Sequence, residues 1–140
     1  MSDVASLANE LRLSIHRLTR RLRQQHPDHD LTLTQISALA IIWREGPITA
    51  GELAQREQVR PPSITRVVDG LEAAGMVNRK DNPADGRQVL VEITRDGVTR
   101  MESYVEAREA WLAQQLRDLP ARDQEILHRA AVILNDLAGR

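Results

Sequence analysis

Cysteine and phenylalanine are both missing from this 140-residue chain, and lysine occurs once, at Lys80. Without a thiol there is no disulfide, no thiolate nucleophile, no zinc–thiolate site and no thiol redox sensor. Trp43, Tyr104 and Trp111 are the only aromatic residues. Stacking single-stranded nucleic acid needs several such rings on one surface, so that mode is excluded too. No apolar run approaches a membrane span. The opening MSDVASLANELRLSI interrupts its apolar pattern with charge, unlike a signal segment. A cytoplasmic protein with no membrane partner is expected. Excess charge is lacking as well: 19 basic against 20 acidic residues leave a formal net charge of −1. Any nucleic-acid role must rest on where charge sits. No nucleophile–base or carboxylate pair has a useful spacing, so neither enzymatic activity nor a cofactor is expected.

What is present is aliphatic and periodic. Hydrophobic residues make up 41% of the chain, enough for one domain, 1–140, with its own core. Val4, Ala8, Leu11, Ile15, Leu18 and Leu22 recur at alternating spacings of four and three, the stripe of one long helix that ends near His26-Pro27. TLTQ (32–35) has the form of a capping box before the apolar run ISALAIIW, which Gly46-Pro47 closes. Thr49 to Glu52 repeats the capping form and opens TAGELAQRE. Pro61-Pro62 suits the first turn of the next helix, whose inner face is Ile64, Val67, Val68 and Leu71; Gly75 stops it. Two strands follow, MVNRK and QVLVEIT, separated by the tip DNPADGR. Val89, Val91 and Ile93 should line the buried face of the second. Thr94 then caps a helix with Val98, Met101, Val105 and Leu112 on one side. Pro120 breaks it, and a last helix carries Ile126, Leu127, Ala130, Ile133, Leu134 and Leu137. The fold class is mainly α with a small β-hairpin (α+β).

The centre of the chain carries the functional argument. A short helix, a turn at Gln58-Val59 and a second helix form a helix-turn-helix, in which the second helix enters the major groove of duplex DNA. Its outward set is Pro62, Ser63, Thr65, Arg66 and Asp69, short and polar. Arg66 suits guanine or phosphate, and the helix N-terminus favours a phosphate. A hairpin placed directly afterwards is a wing. Asn82, Pro83 and Gly86 make its turn, and Arg87 is a cation suited to a narrow minor groove. Asp85 is expected to orient a nearby arginine by a charge-assisted hydrogen bond. From Val59 to Gly97 six basic residues (Arg60, Arg66, Arg79, Lys80, Arg87, Arg95) balance six acidic ones (Asp69, Glu72, Asp81, Asp85, Glu92, Asp96), so binding depends on placement and each subunit alone should bind modestly.

The text SITRVVDGLEAAGMVNRKDNPADGRQVLVEIT, followed by RDG, resembles the MarR (multiple antibiotic resistance regulator) family of winged helix-turn-helix regulators. The matching positions are Thr65-Arg66, Leu71-Glu72, Gly75, Arg79 and the wing's Asp85-x-Arg87. The resemblance implies a winged helix-turn-helix at 32–97, dimerisation helices at 1–28 and 98–140, and a homodimer. It further implies that the dimer represses transcription from a near-palindromic operator in double-stranded DNA. DNA-contacting candidates are Pro62, Ser63, Thr65, Arg66, Arg79 and Arg87. It also implies release by a small aromatic effector bound between the two regions; His16, Trp43 and Trp111 are the candidate lining residues, with plain core packing the stronger reading of each. Pro61-Pro62 and Arg60 depart from the capping residues common in the family at that place. The competing function is a winged-helix protein–protein interaction module without DNA contact, which would not need Arg66 and Arg87 together. HPDHD (26–30) gathers His26, Asp28, His29 and Asp30, but in a loop with nothing to fix ligand geometry, and no metal is expected.

Overall fold

The computed structural model describes residues 3–26 and 31–140. Asp28, His29 and Asp30 of the histidine-rich stretch lie outside the described residues. Among the described residues the order is α1 (Val4–Arg23), α2 (Leu33–Glu45), β1 (Ile48–Thr49), α3 (Ala50–Glu57), α4 (Pro61–Ala73), β2 (Val77–Asn82), β3 (Asp85–Ile93), α5 (Arg95–Arg117) and α6 (Ala121–Ala138).

Local chemistry accounts for the boundaries. Thr32 caps α2 in a closed capping box: its hydroxyl accepts from the Gln35 amide, and the Gln35 side chain accepts from the Thr32 amide. Thr49 caps α3 by accepting from the Glu52 amide. At the end of α4, Gly75 takes a positive φ of 79°, which only glycine adopts without strain. The Gly75 amide then donates to the Glu72 carbonyl and the Met76 amide to Leu71, a Schellman ending that turns the chain straight into β2.

β3 is the centre of a three-stranded antiparallel sheet ordered β1-β3-β2. The strand β1 was not expected. It is two residues long, too short to show a period, yet it pairs Ile48 with Val91 and so ties the helix-turn-helix to the wing. The seven-residue tip is also shorter than expected. The strands run on to Asn82 and from Asp85, leaving Pro83-Ala84 as the turn.

The core lies among α2, α3, α4, the sheet and the first half of α5. Ile36, Leu39, Ile42, Leu53, Ile64, Val68, Leu71, Val77, Val91, Met101 and Tyr104 are all buried in it. In α4 the expected inner face holds, with Val67 only half-buried. Two expectations are corrected. Val89 is exposed, because β3 leaves the core beyond Val91. The buried line of α5 is Gly97, Met101 and Tyr104; of the expected stripe Val98, Met101, Val105 and Leu112, Met101 is buried and the other three are half-buried. The terminal helices contribute nothing to this core: neither α1 nor α6 has a buried residue.

The start of α5 is closely packed. Thr94 caps it by accepting from the Gly97 amide, donates to the Gly75 carbonyl at 2.6 Å, and its own amide donates to the Met76 carbonyl. A Cβ on Gly97 would collide with that same Met76 carbonyl and with Ile93. Gly97→Ala should therefore destabilise the protein by ~1–3 kcal/mol, the usual cost of overpacking. Gly51→Ala, in open space on α3, should be neutral or stabilising. Thermal unfolding of the two variants beside the parent checks the contrast.

Candidate nucleic-acid interface

α3 and α4 meet through a turn that the backbone enforces. Gln58 takes the left-handed conformation, φ 57°, and the Val59 amide donates to the Ala54 carbonyl. Val59 packs on the core. Two side-chain links hold α3 on α2: Ser37 donates to Glu57 at 2.8 Å, and Arg56 pairs with Glu45 at 3.0 Å. With Ile64, Val68 and Leu71 buried, α4 can present only its other face, and Pro62, Ser63, Thr65, Arg66 and Asp69 are all exposed on it.

The chemistry of this face differs from the expectation in two ways. Pro61 and Pro62 occupy the first two helical positions and have no N–H to offer. The next amide, Ser63, already donates to the Arg60 carbonyl. A phosphate therefore finds no free backbone donor among the first three residues of the helix, and side chains must do the binding. Thr65 donates its hydroxyl to the Pro61 carbonyl at 3.0 Å, so outward it offers lone pairs and a methyl group. Arg66 makes no ion pair among the described residues and is exposed.

Arg79 was expected as a DNA contact. In the free protein its guanidinium is half-buried at the surface and donates to Asp69 at 2.6 Å and to Glu72 at 2.7 Å. Burial works against its charge, but the two hydrogen bonds and the attraction of the carboxylates outweigh it and raise its pKa.

The wing tip is built from two side-chain-to-backbone turns. Asn82 accepts from the Ala84 amide and Asp85 from the Arg87 amide, each at 3.0 Å. The orienting bond of Asp85 thus goes to the backbone of Arg87, where a guanidinium partner was expected. The strand register explains the exposure of this arginine. Asp81 faces Val89, but the next residue, Asn82, faces Asp85. Gly86, Arg87 and Gln88 are left over on the β3 side as a bulge, a device that re-aims side chains. Asn82 donates to Gln88 across its base at 2.9 Å. Arg87 stands exposed at its centre, and its side chain has no partner among the described residues.

The model of the MarR family matches residues 31–89, from the start of α2 through the wing. An uncharacterised HTH-type transcriptional regulator of Mycobacterium leprae is 42% identical over 133 residues, covering 95% of this chain and 93% of the relative. The chain belongs to the MarR family. It is a DNA-binding winged helix-turn-helix regulator of transcription, and its relatives are named as regulators, not enzymes. The HTH-type transcriptional repressor MdtR of Bacillus subtilis is 25% identical, over 94% of this chain and 86% of that one. A transcriptional regulator of Thermotoga maritima superposes with a TM-score of 0.81 at 28% identity, covering 96% and 94% of the two chains.

The ligand candidates of this MarR-family chain do not converge. His16 borders one cleft beside α1 and α2, Trp43 packs against the core, and Trp111 lies under Arg21 at 5.4 Å. The adjoining cleft of about 510 Å³ is lined instead by Arg23, Arg44, Arg56 and Arg108, with Glu57 and apolar residues of α2. Burial lowers the pKa of Arg108, and the charge of Arg23 lowers it further. The Arg108 Nε is buried without a hydrogen-bond partner, as is the Tyr104 hydroxyl, whose ring meets His26 edge-on at 5.9 Å. Among the described residues no group of three or more His, Asp or Glu could hold a metal, and no helix is long and apolar enough to cross a membrane.

The backbone bond of Asp85 separates shape from charge in the wing. Asparagine keeps the acceptor and loses the charge; alanine loses both. Asp85→Asn should bind duplex DNA at least as tightly as the parent, whereas Asp85→Ala should bind more weakly. Titrating both against one duplex checks the order, and tighter binding by the alanine variant would show that Asp85 acts through its charge alone.

Proposed function

We propose that the chain acts as a homodimer on a near-palindromic operator, as a repressor that a small ligand releases. Ser63, Thr65 and Arg66, with Pro62 in apolar contact, read the major groove, and Arg87 enters the adjacent minor groove. The observation that carries the DNA assignment is the pair of unengaged arginines, Arg66 on the outward face of α4 and Arg87 on the wing bulge. A wing used only for protein contact would have no need to hold both in that state. The repressor reading leans on MdtR, which is named a repressor, and the same role places the protein in the cytoplasm.

The dimer is supported by what α1 and α6 leave uncovered. Val4 is 78% exposed, Ile133 60% and Leu137 50%, with Leu7, Leu11, Ile15, Leu18 and Ile126 exposed as well. Apolar surface of this extent marks an interface, and a second copy presents the same surface for self-complementary contact. Two winged regions then meet half-sites about one helical turn apart, which supplies the affinity that a locally neutral monomer lacks. For the ligand, the cleft chemistry favours an anionic group over a bare aromatic ring, since Arg23 and Arg108 repel one another there.

Base contacts and backbone contacts have separable signatures. Arg66→Ala should lose discrimination between operator and scrambled duplex, by ~1–3 kcal/mol for a bidentate contact. Arg87→Ala should weaken both duplexes and lower the slope of log affinity against log salt by about 0.9 per lost phosphate contact. Fluorescence anisotropy at several salt concentrations reads both effects. Full binding by the double variant would remove the DNA assignment of these residues.

A further inference from the structure

The outward face of α4 has a charge difficulty that Arg79 reduces. The helix contains Arg66 against Asp69 and Glu72, and the two carboxylates stand three residues apart on one ridge, where like charges repel. They flank a surface assigned to a polyanion. Arg79 reaches over from β2 and divides its guanidinium between them, Nη2 to Asp69 at 2.6 Å and Nη1 to Glu72 at 2.7 Å. Its side chain is 29% exposed, against 60% and 42% for the two carboxylates. Val77 and Arg79 share the face of β2 turned to α4, so the clamp forms across that contact.

We infer that Arg79 is a positioning residue: it fixes the wing hairpin against the recognition helix, so that Arg66 and Arg87 meet their two grooves in one rigid arrangement, while it offsets one of the two negative charges beside the reading face. The inference rests on the DNA-binding assignment above for its consequence, but not for its geometry. An isolated exposed ion pair would contribute little. A forked guanidinium spanning two carboxylates on one helical turn constrains both angle and register. Beyond Val91 the hairpin has no buried side chain to hold it, so the clamp acts where packing ends. Lysine is a poorer replacement here, because its ammonium can contact both carboxylates but lacks the rigid planar fork that fixes their angle.

The absence of cysteine makes the geometry directly measurable. Gln55→Cys on α3 and Ala84→Cys at the wing tip, both exposed, accept spin labels, and the distance distribution between them is recorded without DNA. The parent should give one narrow distance. Arg79→Gln, Arg79→Lys and Asp69→Ala/Glu72→Ala should each broaden it, and adding Arg79→Gln to the double alanine variant should broaden it no further. In DNA titrations Arg79→Gln should bind about tenfold more weakly, the cost of lost preorganisation, with an unchanged salt slope. A narrow distance in Arg79→Gln, or a narrow one in Arg79→Lys, would overturn the clamp. A salt slope lowered by about one would make Arg79 a phosphate contact and overturn the positioning role. Loss of DNA binding by the parent itself would count against the DNA assignment alone, since the distances are read on free protein.

Discussion

Ile64, Val68 and Leu71 hold α4 by a single face in the core beneath α2 and the sheet, and that grip decides most of what the molecule can do. A helix held by one stripe has only the opposite stripe to offer, so the inward residues choose the outward ones. The same grip sets the wing. α4 ends in the Schellman turn at Gly75-Met76, β2 leaves from it, and Thr94 and Gly97 bring the end of β3 and the start of α5 back to the same two residues. Helix, wing and α5 thus diverge from one packed junction, and a displacement at one is felt by the others because close-packed interiors do not deform freely.

Electrostatics then works by subtraction. The segment from Val59 to Gly97 is neutral in sum, yet its charges are unequally employed. Asp69 and Glu72 are held by Arg79, and Glu92 by Lys80 at 2.9 Å. Asp85 is turned to a backbone amide. Arg60, Arg66, Arg87 and Arg95 are left without an ion pair among the described residues, as are Asp81 and Asp96. Internal pairing therefore gives a surface that net charge alone would not reveal. The prolines at the start of α4 push in the same direction: by removing backbone donors they hand phosphate and base recognition to side chains.

Much of this was legible in the sequence where local rules act alone. The capping box at Thr32, the glycine stop at Gly75 and the inner face of α4 follow from spacing and residue type, and the structure has them where they were expected. What was not legible required long-range information. A two-residue strand has no period, so β1 shows only through its pairing with Val91. The wing bulge depends on a register shift that no linear pattern encodes. Arg79 stands out in the sequence as a candidate DNA contact, but its pairing with Asp69 and Glu72, ten and seven residues earlier, shows only once the fold brings them together. The buried line of α5 was misjudged because Tyr104, with a polar tip, is fully buried, while the aliphatic residues beside it are only half covered. The candidate ligand residues followed from their places on the flanking helices: His16 does border a cleft, but the arginines that line the adjoining one come together only in the fold.

The terminal helices complete the account. They have no buried residue of their own, and they flank a reading unit whose neutral charge makes two copies more useful than one. The central claim is that two such units read DNA together with symmetry. Selection of bound duplexes from a random-sequence pool by the full chain tests it most directly. The account predicts enrichment of an inverted repeat whose half-sites lie about one helical turn apart. Enrichment of a single unrepeated site, or no enrichment over the starting pool, would contradict it.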